Sequence, residues 1–151
     1  MLVLAALVLS SVPAFAGPAD DVGAVFDRWA TAFNSNDVDA LVNLYAPDAI
    51  LVGTAGMTLK EGRGAIHSYF ARLEKSGDKV VINNSKMLML DDNVAYVTGF
   101  YEFSAHRNGE MRKSPAGFTM VLVKRGNGWL IAHHHSSRRP SPPLTLPLRR
   151  G

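Results

Sequence analysis

Apolar residues recur at helical spacing through the first half of the chain and in alternation through the second. From Asp20 onward, Val22, Val25, Phe26, Trp29 and Phe33 fall on one face of a helix. Asn34-Ser35-Asn36 stops that helix and caps a second one, which carries Asp37 and Asp39 in its first turn. Val38, Leu41, Val42 and Tyr45 form the buried stripe of the second helix, and Pro47-Asp48 ends it. Ala49-Ile50-Leu51-Val52 predicts a short strand. After Gly62-Arg63-Gly64, a third amphipathic helix gathers Ile66, Tyr69, Phe70 and Leu73 on one side. Beyond Lys79 the pattern is that of strands. They run from Val80 to Leu90, Val94 to Arg107, Arg112 to Arg125 and Trp129 to Ser137. Asp91-Asp92-Asn93, Asn108-Gly109 and Gly126-Asn127-Gly128 supply the turns between them. Helices ahead of an antiparallel meander predict an α+β fold, a curved sheet wrapping the helices with a pocket in its concavity.

The two ends read differently. Leu2 to Leu9 is an unbroken apolar run, followed by Pro13 and Ala14-Phe15-Ala16, the small-residue pattern of a signal-peptide cleavage site. The run is too short for a membrane anchor. Residues 1–16 are therefore expected to be a signal peptide cut near Ala16, with a mature, exported chain from Gly17. No Lys or Arg precedes the run, which leaves open a true start further upstream. Residues 17–140 form one domain. Residues 141–151, after Arg138-Arg139-Pro140, are proline-rich and are expected to be a disordered tail.

Composition narrows the chemistry. The 151 residues include no cysteine, which excludes disulfides, thiolate metal sites and thiol catalysis. The net charge of +3 comes from 16 Lys and Arg against 13 Asp and Glu. Four of the cations, Arg138, Arg139, Arg149 and Arg150, sit at the C-terminal end, so the folded body is close to neutral. Nucleic acid is not an expected partner.

Trp29-Ala30-Thr31-Ala32-Phe33, Asp37, Leu44 to Ala49, and Gly62 through Tyr69-Phe70 together resemble the nuclear transport factor 2-like superfamily. The ending Gly128-Trp129-Leu130-Ile131-Ala132-His133-His134-His135-Ser136-Ser137 with Pro140 is similar to its SgcJ/EcaC-type, SnoaL-like bacterial group. It also resembles the association domain of calcium/calmodulin-dependent protein kinase II. The resemblance spans roughly Ala19 to Pro140. It implies a cone of three N-terminal helices on a strongly curved, mainly antiparallel sheet, usually assembled as a homodimer or larger homo-oligomer. It does not fix a function, because members include enzymes, binders and pure assembly modules. The association domain carries arginines in its pocket where Thr98, Met120 and Ser136 align here, which argues against a basic, carboxylate-binding pocket.

Strand alternation then assigns faces. His133 and His135 share one side, about 7 Å apart, and are expected on the convex face as interface residues. They could hold a metal only with a third ligand; His67 and His106 exist, but no ligand motif supplies one, so no metal is expected. The even-numbered face is expected to line the pocket with Tyr96, Thr98 and Phe100, then Phe118, Met120 and Leu122, then Ala132, His134 and Ser136. Trp29, Tyr45 and Tyr69 reach in from the helices. Such a lining suits a small, mostly apolar ligand held at one polar point. His134 is the acid/base candidate, against the alternative of a core histidine bonded to Tyr or Ser. The only inward carboxylate in this reading is Glu102. Gly62-Arg63-Gly64 lacks the strand and third glycine of a dinucleotide fingerprint, so no cofactor is expected. Three readings stay open: a small-molecule binder, with or without acid/base chemistry; a non-catalytic homo-oligomerisation module; and a metal enzyme built on His133 and His135.

Overall fold

The computed structural model describes residues 17–56 and 58–140. The expected signal peptide and the expected tail both lie outside the described residues. Helix α1, Pro18–Ser35, begins with proline in its first turn, and the Asp20 carboxylate accepts the Gly17 N–H at 2.9 Å. Its buried stripe is Val22, Val25, Phe26, Trp29, Ala32 and Phe33, the spacing that predicted it. Asn36 closes the helix in the left-handed conformation, at φ 58°. Its side chain donates to the Asp78 carbonyl at 2.9 Å and accepts the Gly77 N–H at 2.8 Å, tying the helix end to the start of the sheet. Helix α2, Val38–Val42, is capped by the Asp37 carboxylate, which accepts from the Ala40 N–H at 2.9 Å.

Tyr45 belongs not to that helix but to strand β1, Tyr45–Val52, which starts four residues before the expected short strand. A two-residue strand β2, Lys60–Glu61, leads directly into helix α3, Gly62–Phe70, which ends in a single 3₁₀ turn, Ala71–Leu73. Two strands thus precede the third helix. Strands β3, Lys79–Met89, β4, Val94–Arg107, β5, Glu110–Arg125, and β6, Gly128–Arg138, follow as an antiparallel meander.

The six strands make one mixed sheet in the order β2-β1-β6-β5-β4-β3, with β1 running parallel to β6. The expected sheet is thus mainly antiparallel, with a parallel junction where the last strand returns beside the first. Irregularities bend it. The β3–β4 pairing shifts register between Ile82 and Asn84, opposite Tyr101 and Phe100 and next to Gly99. A Cβ at Gly99 would lie 2.0 Å from the Asn84 carbonyl oxygen, so only glycine permits this approach. The core fills the concave side, where α1 stacks Phe26 on Phe118 and Trp29 on Tyr101 within a cluster that includes the buried Ala95, Val97, Met120 and Ile131. No helix among the described residues is long and apolar enough to cross a membrane.

Candidate functional site

Register decides which side chains enter the concavity. The Asn108-Gly109 turn sets Arg107 opposite Glu110, so every β4–β5 pair couples an odd number with an even one. The even residues of β5 face inward with Phe118 and Met120, and the odd residues of β4 join them, Tyr101 opposite Ala116. Thr98 and Phe100, expected in the pocket, therefore stand on the outer face, as does Tyr96. Glu102 stands there too, paired with Lys113 at 2.8 Å. On β6 a bulge at Ala132 changes the phase. Ile131 pairs with Leu122, but His133 pairs with Val121 and His134 with Met120. The extra residue leaves Ala132 out of the inward row and puts His134 and Ser136 in it.

These residues surround a cavity of about 320 Å³. Its apolar walls include Phe33, Tyr69, Phe70, Leu73 and Phe103. Trp29, Tyr101, His134 and Ser136 form its polar end. Of the expected ligand-binding set, Trp29, Tyr69 and Ser136 line this space together with His134. Tyr45, Phe118 and Met120 are buried in the core around it.

A continuous hydrogen-bond row crosses the polar end. The Trp29 Nε1–H donates to Tyr45 Oη at 3.0 Å, and Tyr45 Oη lies 2.8 Å from His134 Nδ1. His134 Nε2 lies 3.4 Å from Tyr101 Oη, and the Tyr101 hydroxyl donates to Ser136 Oγ. Trp29 and His134 meet nearly at right angles, 5.3 Å between centroids, and Tyr101 stacks on Phe118 at 4.7 Å. Burial lowers the His134 pKa to about 3, helped by the charges of His133 and His135. Burial also raises both phenols, Tyr45 and Tyr101, well above the usual tyrosine range. Every member of the row is neutral at ordinary pH. Both ring nitrogens of His134 face protein oxygens, the arrangement of a bonded core histidine rather than a free base.

The mouth of the cavity has the opposite character. Arg72, Arg107, Arg112 and Arg138 line it, beside the single carboxylate of Asp78. Arg107 clamps Asp78 through two bonds, 3.1 and 2.8 Å, and Arg112 pairs with Glu110 at 3.0 Å. Arg72 lies 5.4 Å over the Tyr69 ring. The pocket therefore is basic at its rim, contrary to the expectation drawn from Thr98, Met120 and Ser136. These arginines sit at strand ends and on the 3₁₀ turn, which converge at the open end of the cone.

His135 is exposed on the outer face beside Phe100, and His133 is half-buried in the same row. His67 pairs with Asp39 at 3.2 Å, and His106 faces Met111 near the hairpin turn, so neither joins them. Among the described residues no group of three or more histidine or acidic side chains could hold a metal ion.

A family model described as SnoaL-like domain matches residues 22–142. A protein from Xanthomonas campestris named for the calcium/calmodulin-dependent protein kinase II association domain is 34% identical, with a TM-score of 0.74. The match covers 89% of this chain and 100% of that one. A nuclear transport factor 2-like protein from Salmonella enterica has a TM-score of 0.73 at 17% identity, covering 85% of this chain and 95% of that one. A ketosteroid isomerase-like protein from Erwinia carotovora has a TM-score of 0.68 at 19% identity, covering 80% and 95%. The last two likenesses concern the fold alone. No curated protein matches the chain.

Proposed function

We propose that this chain, which belongs to the SnoaL-like domain family of the nuclear transport factor 2-like superfamily, binds a small amphipathic molecule in the sheet concavity. The apolar body packs against Phe33, Tyr69, Phe70 and Leu73, and a polar or anionic end faces the arginine rim. The observation that carries this reading is a cavity with aromatic walls, a neutral hydrogen-bonding end and a cationic mouth in one continuous space. Binding rather than turnover fits best, because His134 is bonded on both nitrogens and Asp78 is clamped by Arg107. Export rests on the Leu2 to Ala16 pattern.

Native mass spectrometry of the chain from Gly17, compared with its denatured mass, tests the reading. A small organic mass lost on denaturation supports it, and a bare chain that takes up no offered hydrophobic anion sinks it. A second reading, a homo-oligomerisation module, is favoured by one observation. Phe100 is 44% exposed, Leu88 52% and Val81 59%, all on the outer sheet face that carries His133 and His135.

A further inference from the structure

We propose that the polar end of the cavity presents its ligand with a hydrogen-bond donor, and so selects molecules whose buried end is an acceptor-only oxygen. A ketone, aldehyde or ester fits this description and an alcohol or amine does not. The inference rests on the cavity-binding reading and adds the chemical class of the ligand's inner end.

The direction of the row follows from its first member. An indole N–H can only donate, so Trp29 fixes Tyr45 Oη as an acceptor and leaves the Tyr45 proton to find a partner elsewhere. The available partner is His134 Nδ1 at 2.8 Å, which must then be unprotonated. The imidazole proton is placed on Nε2, toward Tyr101 Oη, and the Tyr101 proton goes to Ser136 Oγ. The row holds five protons and four contacts. One proton is left over, and it belongs to the Ser136 hydroxyl, which lines the cavity and has no acceptor among the described residues.

Reversal is blocked at the far end. A proton on His134 Nδ1 would point at Tyr45 Oη and displace the Tyr45 proton into a region with no acceptor. Trp29, Tyr45 and His134 are at most 2% exposed, so no solvent relieves that clash. A ligand oxygen that only accepts completes the row. A ligand hydroxyl that accepts from Ser136 keeps a proton of its own to satisfy among the apolar walls.

Two measurements on the whole chain test this. Nitrogen-15 histidine NMR on the unliganded protein near neutral pH is expected to show His134 as the Nε2–H tautomer. Calorimetric titration with acetophenone and with 1-phenylethanol is expected to show the ketone bound about ten-fold more tightly, the effect of one unsatisfied buried hydroxyl. Tyr45→Phe frees the tautomer and should shrink the preference to about two-fold or less. An Nδ1–H tautomer, or equal affinities for the two compounds in the natural chain, overturns the proposal. Binding of neither compound also overturns the proposal, whereas the cavity reading falls only if hydrophobic anions fail to bind as well.

Discussion

Tyr45 Oη stands 2.8 Å from His134 Nδ1, joining two residues 89 positions apart across the parallel junction of β1 and β6. The bond exists because the last strand returns beside the first, and because the Ala132 bulge turns His134 inward. It links the core's polar row to the residues that line the cavity.

Removing the Tyr45 hydroxyl leaves two buried groups without partners, the Trp29 N–H and His134 Nδ1. Tyr45→Phe is expected to lower the unfolding free energy by about 2 to 4 kcal/mol, although it keeps the ring. Urea unfolding measures the difference. A loss below about 0.5 kcal/mol would show that the row is not formed in solution.

His134 makes stability depend on pH in a set direction. Its folded pKa is about 3, and its unfolded value is the ordinary 6.5. Between those values the unfolded chain binds a proton that the folded chain refuses. Stability therefore falls as pH drops through this window, by up to about 1.4 kcal/mol per pH unit, and the contribution is complete above it. Urea midpoints of the natural chain and His134→Gln, compared from about pH 7 down to about pH 4, should converge toward acid. A constant gap between the two would contradict the buried, neutral imidazole.

Much of this architecture is legible before any coordinates. The α1 stripe and the four meander strands follow directly from periodicity and turn residues, because local pattern and burial agree there. The place of Tyr45 is not legible, because Leu41, Val42 and Tyr45 satisfy helical spacing while β6 pairing extends β1 back to residue 45. Parity failed at β4, where the two-residue turn couples odd with even positions. It held for His134 and Ser136 only because a bulge, invisible in composition, shifts β6 by one residue. The arginine rim is not legible in the sequence, because its members are far apart in the chain and meet only when the cone closes.

The two tryptophans should respond differently to the same change. Trp29 Nε1 donates to Tyr45, whereas Trp129 Nε1 is buried with no partner among the described residues. Both lose similar apolar area on replacement by phenylalanine, but Trp129→Phe also removes an unsatisfied donor. Trp29→Phe is expected to cost about 1 to 2 kcal/mol more than Trp129→Phe. Equal losses in parallel urea titrations would contradict the assigned bond.

Gly53 holds the cavity wall in place by lacking a side chain. A Cβ there would lie 2.2 Å from Tyr69 Cζ and Oη, so Gly53→Ala must displace the ring. That ring packs edge-on to Phe70 at 5.0 Å and lines the cavity. The substitution is expected to cost about 1 to 3 kcal/mol, and Tyr69→Leu in the same chain should recover most of it. Thermal melts of the two single variants and the double variant supply the test. Strict additivity would mean that Tyr69 does not occupy this position.

The outer sheet face supplies the last test, because it decides between a lone binder and an assembly. Phe100 is exposed there, with the Arg139 guanidinium 4.5 Å over its ring and His135 on the same groove. Its neighbours across the strands, Asn84 and Gly117, are small and leave the ring open to a partner surface. A charge at this point should cost the monomer only about 0.5 kcal/mol, since the side chain is already half in water. At the centre of a subunit interface the same charge would be desolvated without a partner and would break the assembly. Light scattering after gel filtration is therefore expected to find a homo-oligomer for the natural chain and a monomer for Phe100→Glu, with the unfolding free energy at low concentration lowered by no more than about 0.5 kcal/mol. An oligomer that survives Phe100→Glu and His133→Ala alike would remove this face from the interface.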